Sequence, residues 1–430
     1  MTTAPVSTTP PKGAGAAFAY VTTLFFAWGF ATSLIDPLVA AVKRVFDLSY
    51  TEAFLTGSAW FIAYGVASLP AAALLSKLGY SRSILGALGV MVLGCLIVPA
   101  ATAMDTYSGV LLALFVIACG VTLLQVAANP LVAVLGEAKR THFRLNFSQA
   151  FNSLGTAIGP WLGSHVLLTG GVFAAGAVVT ATTRGQSLRS IDVAFLALGA
   201  FFLLVALFIF TARKKIDAAA PEAAPAGESS PLKALGSPWA IAGALAIFVY
   251  VGSEVAIGTM MTNFLASPDV LNRPLEAAGK LVSFYWLGAM IGRFIGAVVL
   301  RYVRAGLVLG FCTLAAAGLC FYVLRSHGVS TGYAALSIGL FNSIMFPTIF
   351  TLTLERSSAP TSATSGLLVF GIIGGAFLPP IAGHIADLSG HVAPAFVVPL
   401  VGYVLLTLFA IACIRKSARA DGAPAAVTLH

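Results

Sequence analysis

The stretch "RKKIDAAAPEAAPAGESSPLKALGSP", residues 213–238, is a polar interruption in an otherwise strongly apolar chain. It is rich in Ala, Pro, Gly and Ser, carries charges of both signs, and holds too little apolar surface to fold by itself. On either side the sequence breaks into apolar runs of about 20 residues, each long enough to cross a bilayer core as a helix. Six precede it, near 16–42, 53–76, 83–104, 108–135, 146–169 and 191–212. Six follow, near 239–266, 278–300, 305–324, 332–354, 362–387 and 393–414. The stretch therefore reads as a linker between two bundles. The expected fold class is an all-α membrane protein, with twelve transmembrane helices in two six-helix bundles at 16–212 and 239–414. Tails at 1–15 and 415–430 complete the chain.

Composition points the same way. The chain of 430 residues is 59% hydrophobic and 9% charged, with mean hydropathy +0.95, whereas a water-soluble domain carries roughly 25% charged residues. Transmembrane barrels are excluded, because their strands are short and alternate in polarity. The opening "MTTAPVSTTPPKGAGA" lacks the apolar core of a removable signal and reads as a disordered tail. Net charge +9 could suggest nucleic acid, but its distribution argues against that partner. With the N-terminus in the cytoplasm, seventeen of the 24 Lys and Arg fall on the cytoplasmic side, the bias that orients inner-membrane proteins. Both termini are expected inside.

The five cysteines lie in apolar runs without metal-ligand spacing and read as packing residues. No phosphate-binding loop, zinc-binding HExxH or GxSxG motif occurs. An enzyme is not expected, and neither is a cofactor or a bound metal.

Chemistry resides in polar residues at membrane depth, which must face protein or water. In "ATSLIDPLVAA" (31–41), Asp36 sits inside a run with no other charge; capping before Pro37 is the bland alternative. Trp28, Thr32 and Asp36 repeat every four residues and share a helix face. An aromatic, a hydroxyl and a carboxylate together suit an uncharged, hydroxyl-rich ligand. Gln125 and Asn129 in "LLQVAANP" share a face of span 4, and Asn146, Gln149 and Asn152 in "RLNFSQAFNS" follow at i+3 steps on span 5. Amides offer donors and acceptors together, although hydrogen bonds between spans 4 and 5 would use the same groups. The second half offers Tyr250 and Glu254 on one face of span 7, Tyr285 and Trp286 as aromatics for stacking on span 8, and Asn342 on span 10. Arg293 reads as a structural residue that extends to the nearer membrane surface.

The halves echo each other. "LLSKLGYSRSI" (74–84) and "GRFIGAVVLRYVRAGLVLG" (292–310) both set basic residues in a short loop after the second span of their bundle. A 6+6 arrangement around a linker is the outline of the major facilitator superfamily. "LFFAWGFATSLIDPL", "AANPLVAVLG", "HFRLNFSQAFNSLGTAIGP" and "MFPTIFTL" together resemble its fucose–proton symporter family. Within that family, "LLQVAANP", "GSEVAIG" and "FYWLGAMIGRFIG" look most like the glucose/galactose permease branch, with N-acetylglucosamine permeases close by.

The resemblance implies a span-1 aspartate and a span-4 glutamate that bind sugar and proton. Asp36 matches the first, but the second is Gln125, and Glu254 stands where the fucose branch has an amide. Gln149 and Asn152 match the sugar-contacting amides of span 5. Exchanging glutamate for Gln125 removes a proton acceptor while keeping an oxygen ligand, which tilts the expectation towards Na⁺ over H⁺. The expectation is thus an inner-membrane, monomeric secondary transporter that imports a neutral hexose by cation symport. Asp36, Thr32 and Glu254 are the coupling candidates; Asp36, Gln125, Asn129, Gln149, Asn152, Tyr285, Trp286 and Asn342 are the sugar ligands. N-acetylglucosamine or fucose are the alternative substrates, and a drug exporter or a membrane sugar sensor the rival functions.

Overall fold

The computed structural model describes residues 13–34, 45–47, 50–167, 172, 180–220 and 230–415. The first half contains α1 (Ala14–Ser33), α2 (Tyr50–Leu78), α3 (Tyr80–Ala103), α4 (Tyr107–Val134), α5 (Thr141–Leu167) and α6 (Ala181–Ala219). The second contains α7 (Pro238–Ala266), α8 (Leu275–Val299), α9 (Ala305–Arg325), α10 (Val329–Arg356), α11 (Thr361–Ser389) and α12 (Val397–Arg415). Among the described residues eleven helical spans are long and apolar enough to cross a membrane. Helix α5 is not one of them, because Arg144, Asn146, Ser148, Gln149 and Asn152 lower the hydropathy of its first half. The chain is a multi-pass membrane protein.

Helix α6 outruns the 191–212 expectation at both ends. Its start is capped by Thr180, whose Oγ1 accepts from the Thr183 amide at 3.2 Å. Its end continues through "RKKIDAA", residues without a helix breaker, and Asp217 accepts from Ser81 Oγ at 2.9 Å. The first seven residues of the stretch read as linker are therefore helical. The stretch resumes as a 3₁₀ turn, Pro231–Gly236, before Ser237 caps α7.

Packing repeats between the halves. Helix α1 lies on α5 as α7 lies on α11; α2 lies on α4 as α8 lies on α10; α3 lies on α6 as α9 lies on α12. The first of these contacts is made backbone to backbone. A Cβ on Gly155 would sit 2.4 Å from Phe26 O, and one on Gly29 would sit 2.2 Å from Asn152 O. Only glycine permits that approach, and it brings Asn152 Nδ2 to 3.2 Å from Phe25 O.

The ends of the bundle can be told apart. One end carries the close of α6 against the start of α3, Ser237 Oγ beside Ser357 Oγ at 3.2 Å, and Arg356 donating to Cys413 O at 3.0 Å. This is the linker end. The other end carries the two-pronged pair of Arg184 with Asp105, both bonds 2.7 Å, and the Gly328 amide on Asp269 O. The halves meet chiefly through α5 on α8 and α2 on α11.

Candidate functional site

Two prolines set the geometry of the site. Pro130 in α4 has no N–H, so the carbonyl four residues back, Val126 O, loses its helical partner. Ser365 Oγ of α11 takes that carbonyl at 2.9 Å, from the opposite half of the molecule. In α10 the helix breaks between Asn342 and Met345, and Pro347 cannot serve the Ser343 carbonyl. Arg293 Nε of α8 serves it instead, at 3.0 Å. In each half an amide stands five residues before the proline and donates to a buried tyrosine. Gln125 Nε2 lies 2.9 Å from Tyr64 Oη on α2, and Asn342 Nδ2 lies 2.7 Å from Tyr285 Oη on α8. The site is thus built twice, once per half, around a kinked helix.

The α4–α5 face carries the densest amide cluster. Gln149 Nε2 donates to Asn129 Oδ1 at 3.3 Å, the bond between spans that a purely structural role would require. It leaves Asn129 Nδ2 with no partner among the described residues, although Asn129 is fully buried. An unpaired buried donor costs about 1–3 kcal/mol, a cost that a ligand acceptor would offset. Asn146 points elsewhere, its Nδ2 donating to His142 O at 2.9 Å and to Thr348 Oγ1 of α10 at 3.4 Å. Thr32 Oγ1 donates to its own helix, at Trp28 O and, at 3.2 Å, Gly29 O. Asp36 lies outside the described residues.

In the second half the carboxylate of Glu254 accepts from Tyr250 Oη at 2.7 Å, and the same hydroxyl lies 3.1 Å from Asn342 O, at the α10 break. Tyr285 is fully buried, so in this state its ring offers no surface to a sugar. Its neighbour Trp286 is 40% exposed and lies seven residues before Arg293 on α8, with its ring beside Gly258 of α7.

Arg293 is the residue that reading the sequence missed. It lies six residues inside the end of α8, about 9 Å of helix rise, and does not extend to the surface. Besides Ser343 O it reaches across to α5, where Nη1 contacts Ser153 Oγ and lies 3.4 Å from Gln149 O. The signal was available, because an ionisable side chain within a span is a functional candidate by default. Tyr64 and His142 were also missed. His142 Nε2 pairs with Glu355 Oε1 at 3.0 Å, and Nδ1 bonds Thr351 Oγ1 at 2.6 Å, both across the halves. Their sequence neighbourhoods carry no spacing that marks them out.

Of these hydrogen bonds between halves, those of Asn146 and His142 lie on the linker side of the amide cluster, and those of Arg293 and Ser365 lie level with it. The arrangement is a polar site midway along the spans, with α5 packed on α8 and α10 on its linker side. The polar side chains gathered there, amides, hydroxyls and tyrosines, suit the binding of a neutral polar solute.

The profile of the Major Facilitator Superfamily matches residues 20–365. A glucose/galactose transporter of Brucella abortus (biovar 1, strain 9-941) is 39% identical over 94% of this chain and 95% of its own length. The L-fucose-proton symporter of Escherichia coli K12 is 31% identical over 91% of this chain and 92% of its own. A crystal structure of the transporter FucP in the outward conformation superposes with a TM-score of 0.82, at 27% identity over 92% of this chain and 98% of that one. The shared kinked helices, the paired halves and these matches lead to one assignment: the chain is a transporter of the major facilitator superfamily.

Proposed function

We propose that this transporter imports a neutral hexose of the glucose/galactose type by symport with H⁺. The observation that carries the reading is the Gln149–Asn129 amide pair, with the spare buried donor on Asn129 and with Gln125 and Asn152 one turn away on the same helices. Sugar hydroxyls both donate and accept, as amides do. Trp286 supplies a ring for the apolar face of the sugar, a role for which its exposure suits it better than Tyr285. The relatives named for glucose and galactose are more similar than those named for fucose. N-acetylglucosamine and fucose remain the competing substrates.

The choice of ion turns on Glu254. A Na⁺ site needs several oxygen ligands around one point, whereas a titrating carboxylate needs only hydrogen-bond partners. The hydrogen bond that Glu254 makes is to Tyr250 Oη. Thr32 donates its hydroxyl proton to its own helix, which leaves its oxygen lone pairs neutral in this choice. The pairing of Glu254 with Tyr250 favours H⁺ over the Na⁺ suggested by Gln125, as do the relatives whose names specify the proton. Asp36 completes the coupling pair. The distribution of Lys and Arg supports the inner membrane with both termini and the linker in the cytoplasm. The protein works as a monomer in the bilayer, opening alternately to either side of the midplane site.

Uptake of labelled glucose, galactose, fucose and N-acetylglucosamine into proteoliposomes tests the substrate. Glucose and galactose should accumulate and compete with each other. Saturable binding of a hexose with no uptake would convert the protein into a sensor. Gln149→Ala and Asn152→Ala should each weaken sugar binding by about 1–3 kcal/mol, the cost of leaving a polar partner unpaired. The melting temperature should change little in Gln149→Ala, and fall modestly in Asn152→Ala, which also loses the bond to Phe25 O across the α1–α5 contact. Large thermal losses with unchanged sugar affinity would assign both amides to helix packing.

A further inference from the structure

A cavity of about 350 Å³ opens at the linker end, between the two halves and away from the sugar site. The first half contributes Lys139 and His142; the second contributes the 300–307 turn, Leu352, Glu355, Arg356, Cys413 and Ile414. Its walls carry Lys139, Arg301, Arg304 and Arg356 against one carboxylate, Glu355, which His142 and Arg356 already share. Among the described residues no carboxylate pairs with Lys139, Arg301 or Arg304. The Arg356 side chain is 8% exposed, and its Nε has no hydrogen-bond partner. The 21-residue helix α9 starts at this cavity with no side-chain cap, so its first amides add positive potential. A cavity so lined carries a positive potential that favours an anion.

The rim adjoins the outward apolar face of α9. Leu307 lines the cavity and is exposed, and Phe311, Leu314 and Phe321 continue the exposed row along α9. Tyr302, 80% exposed, flanks the mouth. An apolar track leading out of a cationic cavity matches an acyl chain attached to a phosphate better than it matches a soluble ion. Basic pockets between transmembrane helices recognise lipid headgroups in this way. We propose that the cavity holds the phosphate of an anionic phospholipid, whose acyl chain lies along α9. Because its walls come from both halves, the bound headgroup ties the linker end in its closed arrangement. The inference does not depend on which sugar is carried.

The test uses the full-length protein in phosphatidylcholine nanodiscs titrated with phosphatidylglycerol, with native mass spectrometry reading lipid retention. Arg301→Gln/Arg304→Gln should weaken phosphatidylglycerol binding by about 30-fold, each cation near an anionic lipid being worth about 1 kcal/mol. Lys139→Gln, an exposed change on the other half, should weaken it by about fivefold on the same basis. Arg213→Gln/Lys214→Gln, exposed on α6 outside the cavity, should leave it unchanged. Equal retention in the cavity variants and the wild type would overturn the site. Displacement of phosphatidylglycerol by an equal concentration of soluble glycerol 3-phosphate would overturn the lipid source.

Discussion

Glu254→Gln should abolish accumulation of hexose against its gradient while leaving exchange of labelled for unlabelled sugar intact. The carboxylate sits within α7, and charge at membrane depth costs about 2.5–3.5 kcal/mol on insertion scales. Glutamine has nearly the same shape and still accepts from Tyr250 Oη, now at 2.7 Å from Glu254 Oε1, but it cannot take up a proton. Binding and alternating access therefore survive while coupling is lost. The link from proton to movement runs through Tyr250, whose single hydroxyl proton lies within reach of both Glu254 and the Asn342 carbonyl at the α10 break. Protonation weakens the pull of the carboxylate on that hydroxyl and so alters what holds the break. Asp36→Asn is the companion variant. Loss of accumulation in Asp36→Asn with full accumulation in Glu254→Gln would give the coupling to Asp36 and make Glu254 structural.

Arg293→Met should open the linker end. The guanidinium joins Ser343 O on α10 to Ser153 Oγ and Gln149 O on α5, and hydrogen bonds to charged groups contribute about 1.5–3 kcal/mol each. Contacts of this kind stabilise the closed state only as far as the open state lacks them. Losing them should shift the equilibrium by about 2–4 kcal/mol, some 30- to 1000-fold. Spin labels at Arg140 and Tyr302, on opposite halves of the linker end, should report longer distances in Arg293→Met. Sugar affinity measured from the opposite face should fall in parallel. An unchanged distance distribution together with a lowered melting temperature would make Arg293 a packing residue.

Hydropathy and the 213–238 interruption carried the fold, because a bilayer imposes one length and one polarity on every span. Boundaries were harder to read where charged residues are good helix formers, as in "RKKIDAA" at the end of α6. The amides of spans 4 and 5 stood out because polar groups within apolar runs are costly. Their partners did not, since the bonds of Gln125 to Tyr64 and Asn342 to Tyr285 join residues 61 and 57 positions apart. Arg293 was visible as a charge within a span, yet its reach to the carbonyl freed by Pro347 depends on how α8 packs on α10. The prolines themselves were in plain view. That each frees a carbonyl for a donor from a neighbouring helix follows from their lack of an N–H only once the neighbours are known.

The measurement that bears most directly on proton-coupled hexose import is gradient exchange in proteoliposomes. Labelled glucose uptake is followed with Na⁺ replaced by K⁺ at fixed pH, then at fixed cation across an imposed inward pH gradient. The account predicts accumulation driven by the pH gradient and indifferent to Na⁺. Accumulation that requires Na⁺ and ignores the pH gradient would contradict it.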